Sequence, residues 1–360
     1  MLWQVLALAC FIAAVIWAGH NAANNMAKRG ITFGFDFLLR PAGFDIPFHL
    51  LSWDVNNSYG WALVVTFANS LLAAALSIVL ASALGLLLAL MRLSGNPLAA
   101  GTSRAIMEIV RNTPQLVQII FVYFVLLQAL PPPRQSLHLG LGLVLNVRGL
   151  LVPEPSVAPH MLFLGVLSLG LVIVGWLCRQ PGRIAGLVLP PLLLLAWLIA
   201  AGWAADWLQP QLKGFNYVGG YRLPPELLAL CLGISIYTSA FISEIIRASI
   251  ISLPHGQTEA ALSLGMTRRQ AMFLILLPQA LRTLIPPLTS QYLNVIKSTT
   301  LGAAIAYPDV LQIFGRTVLN QSGRALEVMA LLLGLFLAIN LLTAAAMNRW
   351  NRKLALQGLR

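Results

Sequence analysis

The chain has 360 residues, of which 58% are hydrophobic and only 9% charged, and its mean hydropathy is +0.81. Soluble domains carry roughly 25% charged residues, so this composition excludes a pair of soluble domains and implies a polytopic membrane protein. The formal net charge of +12 is scattered over short loops without clustering, which points to membrane topology and anionic lipid rather than to nucleic acid.

Five uncharged windows, 1–19, 61–91, 161–178, 184–205 and 328–348, reach or approach the roughly 20 apolar residues with which a helix crosses a bilayer. Three more, 114–133, 227–243 and 283–306, are interrupted by proline or polar residues. The expected fold class is therefore all-α and polytopic, with about eight transmembrane helices.

The first window has no Lys or Arg before its apolar run and no small-x-small cleavage site after it, so it reads as a retained span rather than a signal peptide. Residues 20–60 hold glycines, aromatics and balanced charges ("KRGITFGFDFLLRPAGFDIPF"), predicting a structured segment at the membrane surface. After the window 61–91, "EIVR" sets Glu108 and Arg111 at i, i+3, and "EIIR" repeats the spacing at Glu244 and Arg247. Each pair is either an intrahelical ion pair easing charge into the interface or part of a gate or polar pathway. At "RNTPQLVQ", Asn112 or Thr113 is placed to cap a helix with Pro114 at its first position.

Residues 131–160, from "PPPRQS" to "VPEPSVAP", are turn-rich and poor in helix signals, and 205–225 form a similar loop. The broken window 283–306 contains Pro286, Pro287, Gln291, Asn294, Lys297, Ser298, Thr299 and Thr300. Such a stretch must face other helices or a water-filled cavity, where transporters commonly hold substrate. Lys297 then either meets a substrate carboxylate or pairs with an acid such as Glu244. Glu108, Arg111, Glu244, Gln291, Asn294, Lys297, Ser298 and Thr299 are the candidates for a substrate path.

Eight spans put both termini on one side. Arg92, Arg104, Arg111, Arg179, Arg183, Arg247, Arg268, Arg269, Arg282 and the tail bases Arg349, Arg352, Lys353 and Arg360 share that side, which the positive-inside rule makes cytoplasmic. Cys10, Cys178 and Cys231 lie far apart in or beside apolar stretches, and the five histidines stand in separate loops, so no disulfide framework or metal site is expected.

The longest cytoplasmic loop holds "EAALSLGMTRRQ", residues 259–270. With Pro254 and Gly256 breaking the preceding span, Glu259 is expected in the first turn of a short helix, where an acid suits the dipole. Ala260, Ala261, Leu264 and Gly265 would form one small-residue face. Gly265 suits a helix-ending position, and Thr267 with Gln270 matches a capping box that starts a second helix. A helix–glycine–helix corner with a bare face results, fit either for a groove in another protein or for an interfacial loop.

"EAALSLG", nine further residues and "ILLP" (Glu259, Ala260, Ala261, Gly265, Ile275, Leu277, Pro278) resemble the EAA loop of bacterial ABC-importer permeases, E-A-A-x3-G-x9-I-x-L-P. "SEIIRASIISLPHGQTEAALSLGMTRRQ", "LLPQALR", "PPL" and "RNTPQLVQIIFVYF" look like the polar amino-acid (His/Glu/Gln/Arg) permeases, and the 20–60 loop with "PPPRQS" resembles the general L-amino-acid permeases of Gram-negative bacteria. The resemblance implies a type I ABC-importer permease fold in the bacterial inner membrane. It implies a first helix and periplasmic loop over 1–60 and a permease domain over 61–350. That domain would carry a periplasmic insert at 131–160 and a cytoplasmic coupling loop at 248–282, followed by a basic tail at 351–360. Glu259, Ala260, Ala261 and Gly265, flanked by Arg268 and Arg269, would contact a separate ATPase. The implied partners are an ATPase dimer, a second permease subunit or copy, a periplasmic amino-acid-binding protein, the amino acid and the bilayer. ATP and Mg would be bound by the ATPase, with no cofactor or metal in this chain. The absence of a G-x4-G-K-[ST] loop agrees, and no catalytic residues are expected. An ion-coupled secondary amino-acid transporter is the alternative; it calls for membrane-buried carboxylates and leaves the EAA loop unexplained.

Overall fold

The computed structural model describes residues 2–28, 34–156 and 206–356; the apolar windows 161–178 and 184–205 lie outside them. In chain order, helix α1 (Leu2–Lys28) is followed by α2 (Tyr59–Leu93), α3 (Pro97–Asn112) and α4 (Gln115–Ala129). Eight short strands come next: β1 (Leu137–Gly140), β2 (Leu143–Asn146), β3 (Gly149–Val152), β4 (Glu154–Ser156), β5 (Asp206–Leu208), β6 (Gln211–Lys213), β7 (Asn216–Val218) and β8 (Tyr221–Leu223). Then follow α5 (Pro225–Ile251), α6 (His255–Ser263) and α7 (Arg268–Gln270), a π-helical stretch Ala271–Leu276, and α8 (Leu277–Ser298) with a 3-10 extension Thr299–Ile305. The chain closes with α9 (Val310–Gln312), a second π-helical stretch Ile313–Val318, α10 (Leu319–Ser322) and α11 (Ala325–Leu356).

Among the described residues, α2, α5 and Ala325–Ala345 of α11 are long and apolar enough to cross a membrane, and five spans result if each of two bent pairs counts as one. In α1 the apolar stretch is the shorter Ala9–Asn21. The expected eight helices are therefore not all visible in these residues.

Contacts divide the chain into two units, 1–116 with 233–360, and 117–232. In the first, local signals set the helix starts. Ser58 accepts the Trp61 N–H at 3.2 Å to open α2, and Asn96 caps α3 with Pro97 at its first position. The chain leaves the helical conformation at Thr113 and Pro114, so α4 begins at Gln115, one residue later than predicted. The segment 34–58 is ordered as expected. Phe37 and Ile46 join Val65 of α2 and Phe314, Val318 and Val328 in one buried cluster. Asn69, buried in α2, holds this segment in place: its Nδ2 donates to Phe48 O at 2.8 Å and Pro308 O at 3.0 Å, and its Oδ1 accepts the Leu50 N–H. A buried amide is tolerable in an apolar helix only when so satisfied.

Asp309 caps α9, its Oδ1 accepting the Gln312 N–H at 2.7 Å, while its Oδ2 is buried without a hydrogen-bond partner. Burial pushes this carboxyl up to about 7 against the help of its backbone donors.

Pro286 and Pro287 lie inside α8 and do not unwind it, so the interruption expected in 283–306 is not at the prolines. Lacking N–H groups, each gives up the helical hydrogen bond it would donate one turn earlier. The chain bends by 52° between Leu281 and Thr283. True departure from the α-helix comes later, at Thr299–Ile305.

The second unit corrects the all-α expectation. Strands β1, β2, β3 and β8 form a four-stranded antiparallel sheet, with β4–β5 and β6–β7 as separate antiparallel pairs. Asn146 Oδ1 accepts the Arg148 N–H in the β2–β3 turn. Gly149 follows at φ +117°, with the Leu223 carbonyl 2.1 Å from where a Cβ would stand, so glycine is required there by both conformation and space. Strands of three or four residues carry too short an alternation to be read from sequence.

Candidate functional site

The corner at residues 254–270 is shaped mainly by hydrogen bonds between neighbouring residues. Helix α6 starts at His255, with Pro254 at the cap position, so Glu259 stands in the second turn rather than the first. Its end is a Schellman motif: Gly265 N–H donates to Leu262 O at 3.0 Å and Met266 N–H to Ala261 O at 3.2 Å, with Gly265 at φ +78°. Thr267 and Gln270 form the predicted capping box, Gln270 N–H donating to Thr267 Oγ1 and Thr267 N–H to Gln270 Oε1.

The expected face needs one correction. Ala261 is 1% exposed and packed inside this chain, so it cannot share an outer face with Ala260. Glu259, Ala260, Leu264 and Gly265 are exposed, Leu264 at 81%, and nothing lies within 4 Å of a Cβ built on Gly265. Arg268 and Arg269 are also exposed, the latter with its guanidinium 6.0 Å from the Phe273 ring centroid.

A second site lies within the first unit: a cavity of about 320 Å³ lined by Gln115 at the start of α4, Tyr237, Thr238 and Phe241 of α5, and Gln291, Asn294, Lys297 and Ser298 of α8. Four of the eight predicted path residues, Gln291, Asn294, Lys297 and Ser298, thus meet in one place. They fall at i, i+3, i+6 and i+7, one face of α8. Ser298 Oγ donates to Gln115 Oε1 at 3.1 Å, which leaves the buried Gln115 Nε2 without a partner. Lys297 is exposed and makes no ion pair among the described residues. Amides, hydroxyls, two aromatic rings and one ammonium line the cavity, with no acid among them.

The other four path residues are placed elsewhere. Thr299 is fully buried and donates to Ile296 O at 2.8 Å. Glu244 does not pair with Lys297; its Oε2 meets Arg92 NH1 of α2 at 2.6 Å and its Oε1 meets Arg247 NH2 at 2.5 Å. Arg111 lies over the Phe241 ring, 5.4 Å from its centroid, and Glu108 is exposed without an ion pair among the described residues. The two E-x-x-R echoes therefore differ: one is an ion pair, the other is not. Sequence reading missed Gln115, Tyr237, Thr238 and Phe241, although "TPQ" and the aromatic pair Tyr237 and Phe241, four residues apart, stand near polar breaks.

Residues 81–356 match the family model described as binding-protein-dependent transport system inner membrane component. The chain belongs to this family. It is thus an integral membrane permease subunit of an ABC transport system, not an enzyme. The permease is 44% identical to YhdX of Escherichia coli K12, named as an amino-acid ABC transporter permease protein, over 99% of this chain and 94% of that one. It is 36% identical to the general L-amino acid transport system permease protein AapQ of Rhizobium johnstonii, over 98% and 92%. It is 32% identical to the glutamate/glutamine/aspartate/asparagine transport system permease protein BztB of Rhodobacter capsulatus, over 98% and 93%. A crystal structure of an amino acid ABC transporter with histidines shares the type I permease fold, with a TM-score of 0.52 at 18% identity, covering 82% of this permease and 95% of that chain.

Proposed function

We propose that this permease forms the translocation path of an ATP-driven amino-acid importer, with the cavity at Lys297 receiving the substrate carboxylate. The observation that carries this is the unpaired Lys297 ammonium beside the partnerless Gln115 Nε2, two donors in a cavity that offers no competing acid. Charge-assisted donors of this kind suit a carboxylate. Relatives similar over nearly the whole chain are named for amino-acid transport. Family membership leaves the ion-coupled alternative without support.

The exposed part of the corner, Glu259, Ala260, Leu264 and Gly265 with Arg268 and Arg269 beside it, docks into the ATPase; Ala261 supports it from within. Hydrolysis on the ATPase, which binds ATP and Mg, moves the corner and switches access to the cavity. A second permease and a periplasmic binding protein complete the importer. The protein sits in the bacterial inner membrane with both termini cytoplasmic and the strands on the periplasmic side.

The test is uptake of radiolabelled L-amino acids into vesicles holding the permease with the ATPase, partner permease and binding protein with which it purifies. Uptake that needs ATP and the binding protein supports the reading. Accumulation driven by an ion gradient without ATP would overturn it.

A further inference from the structure

Cavity-lining residues on α5 stop at Phe241, and the helix continues toward the end that the proposed orientation makes cytoplasmic. Glu244 comes one turn later, about 4.5 Å along the axis and on the same face. It holds two arginines, Arg92 from the last turn of α2 and Arg247 from its own helix. Arg111 is the cation over the Phe241 ring, and that ring lies 5.0 Å from Tyr237, also in the cavity wall. The carboxylate therefore ties α5 to α2 one turn beyond a ring that borders the cavity.

Helices α2 and α5 are in backbone contact just above this point. A Cβ on Gly85 would fall 2.7 Å from Ile242 Cβ and 3.1 Å from Ser239 O, and Ser235 Oγ donates to Ser77 O at 3.1 Å. Bulk at Gly85 would force these helices apart, so they form a stiff pair. The Arg92–Glu244 ion pair fastens that pair at its cytoplasmic end. Arg111, by contrast, is held by a cation–π contact, an interaction of about 0.5–2 kcal/mol that can be released and remade.

We infer that Phe241 is the cytoplasmic gate of the cavity and that Glu244 is its positioning residue, holding α5 to α2 and so setting where the ring meets Arg111. This rests on the orientation and transport role proposed above, but concerns residues that touch no ATPase and, for Glu244, no substrate. Opening toward the cytoplasm then means moving Arg111 off Phe241, while the α2–α5 pair stays intact.

The test uses the assembled transporter in inside-out membrane vesicles without ATP. Cys10, Cys178 and Cys231 are replaced by serine, and Asn294→Cys reports from the cavity. The measurement is the rate at which a negatively charged, membrane-impermeant methanethiosulfonate modifies the reporter from the cytoplasmic face. Glu244→Gln and Phe241→Ala should each raise this rate roughly tenfold, the factor given by about 1.4 kcal/mol in the closed–open balance. Glu244→Asp, which keeps the charge, should restore slow modification. Adding Glu244→Gln to Phe241→Ala should change nothing further, because Glu244 acts through the ring. Unchanged rates in assembled Phe241→Ala overturn the gate, and a multiplied rate in the double variant overturns the positioning role. Where Glu244→Gln fails to assemble, Arg111→Gln replaces it, with the same expected rise and the same overturning result. Amino-acid uptake by the parent vesicles is scored separately, so a failure of the transport reading is distinguishable from a failure of the gate.

Discussion

The corner proposed to dock the ATPase and the cavity proposed to receive substrate are built in opposite ways. The corner is local: the hydrogen bonds that end α6 and start α7 join residues no more than five apart. The cavity is assembled from three segments, with Ser298 and Gln115 bonded across 183 positions of sequence. A local device can be moved as a unit by a partner, since its turns are closed by bonds between near neighbours. A site shared between helices changes whenever those helices move, which is what alternating access demands.

Substitutions that hit one part and spare the other test this division. The largest effect is expected from Gly265→Glu. Open space surrounds Gly265 within this chain, so the permease should still insert, yet a charged side chain on the docking face should abolish co-purification of the ATPase and all ATP-driven uptake. Gly265→Ala, which adds only left-handed strain of about 1–2 kcal/mol, should retain the ATPase; its loss would mean that helix shape, not the docking face, is at stake. Next, Lys297→Ala should leave the ATPase bound but raise the KM for uptake roughly tenfold to a hundredfold, as removal of a charged hydrogen bond of about 1.5–3 kcal/mol implies. Glu108→Ala, outside the cavity lining, should leave KM unchanged, and a comparable rise there would undo the assignment of the cavity.

The smallest effect concerns neither part. Asp309 ionises near 3.8 in an unfolded chain and near 7 in the native one, so the native state binds the extra proton between those values. Stability is fully present below about pH 4 and falls as pH rises toward 7, then levels off. Asp309→Asn retains a capping oxygen and should flatten that slope in thermal melts of the detergent-solubilised protein, by a few kcal/mol at most given roughly 1.4 kcal/mol per unit. A slope that persists in Asp309→Asn assigns it to another group.

The contrast between local and shared construction also explains what could be read in advance. Gly265, Thr267 and Gln270 announce a helix end and a helix start because caps are made by nearest neighbours. The α8 face of Gln291, Asn294, Lys297 and Ser298 was visible because polar residues at helical spacing in an apolar span must turn away from lipid. The start of α6 was misplaced, since "HGQT" shows no apolar period although its backbone is helical. Burial of Ala261 was missed because both alanines look alike until something packs on one of them. The strands at 137–156 and 206–223 were missed because pairing partners such as Leu150 and Leu223 are distant in sequence.

From its residues alone, the chain determined its membrane residence, its mainly helical class, the cap chemistry of the corner and the polar face of α8, because hydropathy and hydrogen bonds between near neighbours need no tertiary context. Only the tertiary structure decided which residues meet: Glu244 with Arg92 rather than Lys297, Arg111 with Phe241 rather than Glu108, and Gln115 with Ser298. Those choices depend on the distances between helices, where a charge takes the partner that packing brings within reach of it.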